Sequence, residues 1–273
     1  MRTIFLADAH LVSPDEQNYR LLLRFLRELE GTTETLFIMG DLFDFWLGFP
    51  SNPLRQFDEV LVALQSLLNS GCRLVYFEGN HDFHLGAIFR QRLGAEIHTG
   101  PAVITVQGRR LHLCHGDQIN RRDRGYRLLR LLLHNRLAAA LVNYLPPFFA
   151  LRVRARLQRA SRAGYQAKLQ RWDYREIIRS YARSVGKQGC DGLVTGHFHL
   201  AFREELDDPP FTILSLGDWM EQFTYGEMVA GTLRLQTYQP PGKRHDSGGG
   251  ERGSRPFNCR KTPPVPVLPP ELT

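Results

Sequence analysis

Three short apolar runs, residues 3–7, 35–39 and 73–77, each end in a polar motif, and two leucine-spaced stretches separate them. Runs of five residues are too short for buried helices and suit buried strands. The intervening stretches, residues 18–29 and 57–68, repeat leucines at helical spacing, and Gly71 closes the second. Strand, helix, strand, helix, strand predicts a parallel sheet in a layered α/β domain. Beyond residue 100 the rhythm shortens. Residues 102–106 and 110–114 flank Gln107-Gly108-Arg109 and predict a hairpin. Residues 193–195, 211–216 and 227–235 predict the strands that close the domain.

The motifs that end these strands carry metal-ligand chemistry. They are Asp8-Ala9-His10, Gly40-Asp41-Leu42-Phe43-Asp44, Gly79-Asn80-His81-Asp82, His115-Gly116-Asp117 and Gly196-His197-Phe198-His199. In open α/β sheets ligands bind beyond the strand C-termini, so residues distant in sequence are expected to meet at one rim. Asp8 and His10 flank one residue and point the same way on an extended segment. Gly40 lets the Asp41 turn approach closely. Asn80 offers a neutral carbonyl oxygen, and His115, His197 and His199 offer imidazole nitrogens. Hydrolysis of a phosphate ester or anhydride needs a nucleophile at neutral pH and neutralised phosphoryl oxygens, and two divalent metals supply both. Oxygen and nitrogen donors without thiolate suit Mn²⁺, Fe²⁺ or Zn²⁺; Mn²⁺ is the expected ion. His84, His98, His112, His134 and His245 lack such context and read as structural, as do Asp15, Asp58 and Asp191.

A net charge of +7 favours anionic partners: phosphates, nucleic acid or an anionic membrane surface. Cys72, Cys114, Cys190 and Cys259 follow no zinc or redox spacing and read as reduced thiols of a cytosolic protein. The first residues run straight into a strand without a signal-peptide pattern, and no apolar run of about 20 residues predicts a membrane span. Residues 121–183 hold sixteen Lys and Arg against Asp123, Asp173 and Glu176, with leucines and aromatics interleaved. They predict two or three basic amphipathic helices inserted before the fifth motif, broken at Pro146-Pro147. Residues 239–273, rich in Pro, Gly and Arg, predict a disordered tail after a domain of residues 1–238.

The order and chemistry of the five motifs resemble the calcineurin-like metallophosphoesterase superfamily. That resemblance implies a layered β-sandwich flanked by helices, with the insertion as a helical lid. It implies one metal on Asp8, His10, Asp41 and His199, and a second on Asp41, Asn80, His115 and His197, with Asp41 as the bridge. It further implies that His81, held by Asp82, stabilises the transition state or protonates the leaving oxygen, and that Asp44 and Asp117 orient ligands.

Three features narrow the resemblance. The second motif continues as Phe45-Trp46-Leu47-Gly48, Asp123 and Gly125-Tyr126 follow the fourth motif, and the basic leucine-rich insertion precedes the fifth. Over residues 1–238 these resemble the UDP-2,3-diacylglucosamine pyrophosphohydrolases of bacterial lipid A synthesis. The implied reaction is water attack on the α-phosphorus, giving UMP and 2,3-diacylglucosamine 1-phosphate. Asp123, Ser161 and Lys168 align with substrate-contacting positions. The insertion would hold the acyl chains and rest on the inner face of the cytoplasmic membrane. One departure stands out: well-known members carry Arg where this chain has His81. The alternatives are a phosphoesterase of another specificity, such as a nucleotide phosphodiesterase, pyrophosphatase or nuclease, and a non-enzymatic scaffold, which the intact donor set disfavours. Nucleic acid is the less favoured partner, because the arginines alternate with leucines and few aromatics are placed for base stacking.

Overall fold

The computed structural model of the chain describes residues 2–47, 55–133, 135, 171–207 and 210–240. Two sheets face each other. The first has six strands in the order β13-β12-β1-β2-β4-β6. They are β1 Arg2–Leu6, β2 Thr33–Ile38, β4 Arg73–Phe77, β6 Glu96–His98, β12 Thr224–Val229 and β13 Thr232–Thr237. The second runs β10-β11-β9-β8-β7, from β7 Ala102–Val106, β8 Arg109–Cys114, β9 Gly192–Thr195, β10 Ala201–Asp207 and β11 Pro210–Leu216. A two-residue pair, β3 Trp46–Leu47 with β5 Asp82–Phe83, joins the second and third motif loops.

Side-chain alternation divides each strand between two cores. Ile4, Leu6, Leu36, Ile38, Leu74 and Tyr76 face outward, under helices α1 Gln17–Leu29 and α2 Asp58–Asn69. Phe5, Phe37, Val75 and Phe77 face inward, against Leu111, Leu113, Val194, Leu214 and Leu216 of the second sheet. Both faces are covered, which is why β1, β2 and β4 read as unbroken apolar runs. The outer face of the second sheet packs Leu193, Phe211 and Ile213 against Ile178, Ala182 and Val185. These last come from the helix Tyr174–Gly186, whose N-cap Asp173 accepts from Glu176 N. The expected helix-flanked sandwich is therefore what forms.

Two expectations need correction. The single closing strand predicted over residues 227–235 is the hairpin β12–β13, turned at Ala230-Gly231 with φ of 48° and 75°. A residue without Cβ at only one turn position hid it. The segment Ala201–Asp207, rich in charge, pairs along its length with β11 as an edge strand that the reading had passed over. Of the insertion, only its flanks are described: helix α3 Arg124–Leu133 and the end leading into Tyr174–Gly186, here α4. Ser161, Lys168, the Pro146-Pro147 break, Cys259 and the tail beyond 240 lie outside the described residues. Cys72, Cys114 and Cys190 are buried and free, at or beside β4, β8 and β9. No helix among the described residues is long and apolar enough to cross a membrane.

Candidate metal centre

Five loops converge beyond the strand ends. Asp8 lies two residues past β1, Asp41 three past β2, Asn80 three past β4, His115 one past β8 and His197 two past β9. Backbone hydrogen bonds stitch these loops together. Asp8 N donates to Gly40 O at 3.1 Å, His10 N to Asp41 O at 3.0 Å, and Gly196 N to His115 O at 2.8 Å. Trp219 N donates to Asp8 O at 3.1 Å. Five donor residues sit at positive φ: Asp8 at 53°, His10 at 43°, Asp41 at 55°, His197 at 70° and His199 at 51°. Residues with a Cβ rarely adopt that region, and such backbone strain clusters at functional sites. Two glycines permit the close packing. A Cβ on Gly79 would lie 2.0 Å from Asp41 Oδ1, and one on Gly196 would lie 2.4 Å from Asp8 Oδ2.

The side chains form three donor groups among the described residues: Asp8/His10/His199, the adjoining Asp41/His115/His197, and His10/Asp44/His81, which shares His10 with the first. Asp41 Oδ2 stands between the first two, 3.7 Å from His10 Nε2 and 3.4 Å from His115 Nε2. Asn80 Oδ1 is 3.1 Å from His115 Nε2. Asp8 Oδ2 accepts from His197 N at 2.7 Å. Its other oxygen, Oδ1, is buried without a hydrogen-bond partner, 3.7 Å from the equally unpartnered His10 Nε2. Buried polar atoms are ordinarily satisfied, so this pair fits a cation. Met39 O accepts from His115 Nδ1 at 2.8 Å, and a carbonyl can only accept, so Nε2 is the nitrogen that faces Asp41 and would offer its lone pair to a metal once its proton is displaced. All seven expected donors therefore meet at one rim.

Electrostatics agree with a cation-binding role. Burial opposes the ionisation of Asp41, yet the imidazoles of His115, His81 and His10 outweigh it and hold the carboxyl well below its usual range. Burial opposes the charging of His10, but Asp8, Asp41 and Asp44 raise it to about 9. His115 rises to about 10 against burial, chiefly through Asp41. His197 is held well below its usual value by burial and by His115, and His199 is lowered by burial most of all.

His81 sits beside the first group, its ring edge-on to His10 at 4.8 Å. Asp82 does not hold it. Asp82 lies on the strand pair, where neighbouring side chains point to opposite sides. Its carboxylate accepts from the backbone of Asp41 at 2.9 Å, Leu42 at 2.7 Å and Gly79 at 3.0 Å, and from the Tyr76 hydroxyl. Burial and the adjacent Asp41 push this carboxyl up to about 7, against the Tyr76 hydroxyl and the Asp41 amide. What holds His81 is Asp44, through its backbone carbonyl, 2.8 Å from Nδ1. Asp117 pairs with Arg130 of α3. Asp123 is half-buried just before α3. One residue escaped the reading: Asp218, whose Oδ2 lies 3.9 Å from His199 Nδ1. Its signal was present, since Leu216-Gly217-Asp218 ends β11 much as Gly40-Asp41 follows β2.

An oxygen and nitrogen donor set around a shared carboxylate, at the rim of a helix-flanked sandwich, defines a metal-dependent phosphohydrolase. The model of the calcineurin-like phosphoesterase family matches residues 1–201, and the chain belongs to that family. The chain is 32% identical over 234 residues to a UDP-2,3-diacylglucosamine hydrolase of Salmonella paratyphi B, covering 84% of this chain and 94% of that protein. The protein of the same name from Salmonella enteritidis matches with the same identity and coverage. A solved structure described as a novel archaeal phosphodiesterase aligns with a TM-score of 0.44 at 13% identity, over 87% of this chain and 100% of that one.

Proposed function

We propose that the chain hydrolyses the diphosphate of UDP-2,3-diacylglucosamine at a two-metal centre, giving UMP and 2,3-diacylglucosamine 1-phosphate. The observation that carries the two-metal part is Asp41 Oδ2, poised between two donor groups. The substrate rests on the likeness to the Salmonella hydrolases over nearly their whole length. Asp8, His10, Asp41 and His199 would hold one ion and Asp41, Asn80, His115 and His197 the other, with Mn²⁺ the expected metal. Bound there, the ions would lower the pKa of a water and neutralise phosphoryl charge.

The protein's own groups do the rest. Asp82 fixes the Asp41 loop so that the bridging oxygen needs no reorganisation. Asp44 O fixes the Nδ1–H of His81, so an imidazolium at this position presents Nε2–H toward the site. As the water, having lost a proton to solvent, forms its bond to the α-phosphorus, the bond to the bridging oxygen breaks, and His81 delivers a proton to that leaving oxygen and takes one back from solvent. Asp123, Ser161 and Lys168 would contact the substrate. The exposed leucines of α3, beside Arg127, suit an acyl chain and an anionic membrane surface on its cytoplasmic side.

The test is a Mn²⁺-supplemented assay on UDP-2,3-diacylglucosamine, with bis(p-nitrophenyl) phosphate and short DNA in parallel. Release of UMP is expected, with Asp41→Ala folded but at least about a thousandfold slower, as expected for loss of a shared metal ligand. Turnover of the simple ester or DNA alone would keep the metal centre and overturn the substrate.

A further inference from the structure

Helix α3 is not held by its described leucines. Leu128, Leu131 and Leu132 are 59%, 70% and 61% exposed. At roughly 100° per residue they share one face, and Arg130 lies on the opposite one. There the Arg130 side chain is only 13% exposed and its guanidinium is fully engaged. Nη1 donates to Asp117 Oδ2, and Nη2 donates to Thr99 O at 2.8 Å. With its amide oxygen turned to the guanidinium, Gln118 accepts from Nε at 3.2 Å and from Nη2 at 2.8 Å. Asp117, 3% exposed, stands two residues after His115.

The segment between the two partners runs through tight turns into the start of α3. Ile119 N donates to Gly116 O at 3.0 Å, Asp123 N to Asn120 O at 3.2 Å and Arg127 N to Asp123 O at 3.1 Å. The ion pair joins residues thirteen positions apart and closes this path back on itself. Asp123 lies within the closed path, and the metal-donor loop lies at its root. An arginine with its planar fork shared among three acceptors gives orientation that a single point contact cannot.

We propose that Arg130 is a positioning residue, a latch that fixes α3 and Asp123 to the loop carrying His115, so that this helix and the metal donors form one rigid body. Its consequence for turnover rests on the function proposed above; the latch itself does not. Losing it should loosen substrate placement while the donors, held by their own backbone bonds, remain in place.

The test compares full-length wild type, Arg130→Gln, Asp117→Asn and the double variant. Either single change removes the ion pair. Arg130→Gln also removes a cation from beside a buried carboxylate, which is destabilising in itself. The double variant relieves that and isolates the latch. Hydrogen exchange should accelerate about tenfold or more across α3 and residues 116–123 in all three variants, with β1 and β2 unchanged. On the lipid diphosphate kcat/KM should fall tenfold or more, mainly through KM. Turnover of bis(p-nitrophenyl) phosphate and bound metal per chain should stay within twofold in Arg130→Gln. The double variant should be no worse than the worse single one.

Unchanged exchange in α3 would overturn the latch. So would a parallel loss of metal and of small-ester turnover in a folded Arg130→Gln. If Arg130→Gln does not fold, the double variant and Arg130→Lys carry the same comparison. Failure of the wild type to cleave the lipid would sink the substrate, and the exchange and small-ester arms would still decide the latch.

Discussion

At the scale of single residues, the site's chemistry lies in which donors already hold protons. In the protein without metal, His10 and His115 are raised to about 9 and 10 by the carboxylates around them. His197 and His199 are lowered and stay neutral. A metal therefore finds two imidazoles ready and must displace protons from two others. Protons compete with metal below the raised pKa values, so affinity should climb with pH until about pH 10. Calorimetry in buffers of different ionisation enthalpy should detect release of between one and two protons per chain near pH 7 (a linkage expectation). Metal uptake without proton release would show that these histidines are not the displaced donors. The donors themselves were legible, because each motif sets an oxygen or nitrogen donor just past a strand end. What a sequence could not display was side-chain direction. Asp82 follows His81 in the chain, yet serves the Asp41 loop, while a backbone carbonyl, invisible to any motif, fixes His81. Asp218 was missed because one Gly-Asp pair without a neighbouring histidine resembles any turn.

At the scale of elements, β1, β2 and β4 were legible because both their faces are buried over their last residues, which keeps polar side chains to the start of each strand. The edge strand Ala201–Asp207 was not, because half its side chains meet water and it reads as a charged loop. The β3–β5 pair is two residues long and carries no periodicity at all. Yet it is the element on which the second and third motif loops depend. Asp82 anchors it, accepting buried backbone N–H groups from both loops. Asp82→Ala would leave those donors unsatisfied, each costing about 1–3 kcal/mol. The expected loss is about 3–5 kcal/mol of unfolding free energy, near the top of the range for single substitutions. Metal affinity should fall with it, since Asp41 loses its fixed orientation. Asp82→Asn keeps one acceptor oxygen and should lose less. A denaturant titration that finds Asp82→Ala as stable as wild type would remove Asp82 from this role.

At the scale of the whole molecule, the end of the compact unit supports its beginning. Residues 1–239 form one compact unit, and Tyr238 is the last large side chain in it. The Tyr238 hydroxyl donates to Glu28 Oε1 at 3.0 Å, and its ring stacks on Trp219 at 5.4 Å. Trp219 is fully buried, its indole donates to Asn18 O at 3.2 Å, and its backbone N–H holds Asp8 O. A physical path thus runs from residue 238 through Trp219 to the first metal donor. Two truncations separate this path from the tail. A chain ending at Gln239 keeps every one of these contacts, so its melting temperature and turnover should match the full chain. A chain ending at Thr237 loses an aromatic side chain that is 8% exposed. Truncating a buried aromatic costs about 3 kcal/mol or more, which for a domain of this size lowers the melting temperature by roughly 6–12 °C. Metal affinity should drop as well, because Trp219 no longer braces the Asp8 loop. Early melting of the chain ending at Gln239 would instead place residues 240–273 among the determinants of the fold. Equal stability of both truncations would mean that Trp219 holds the Asp8 loop without help from Tyr238.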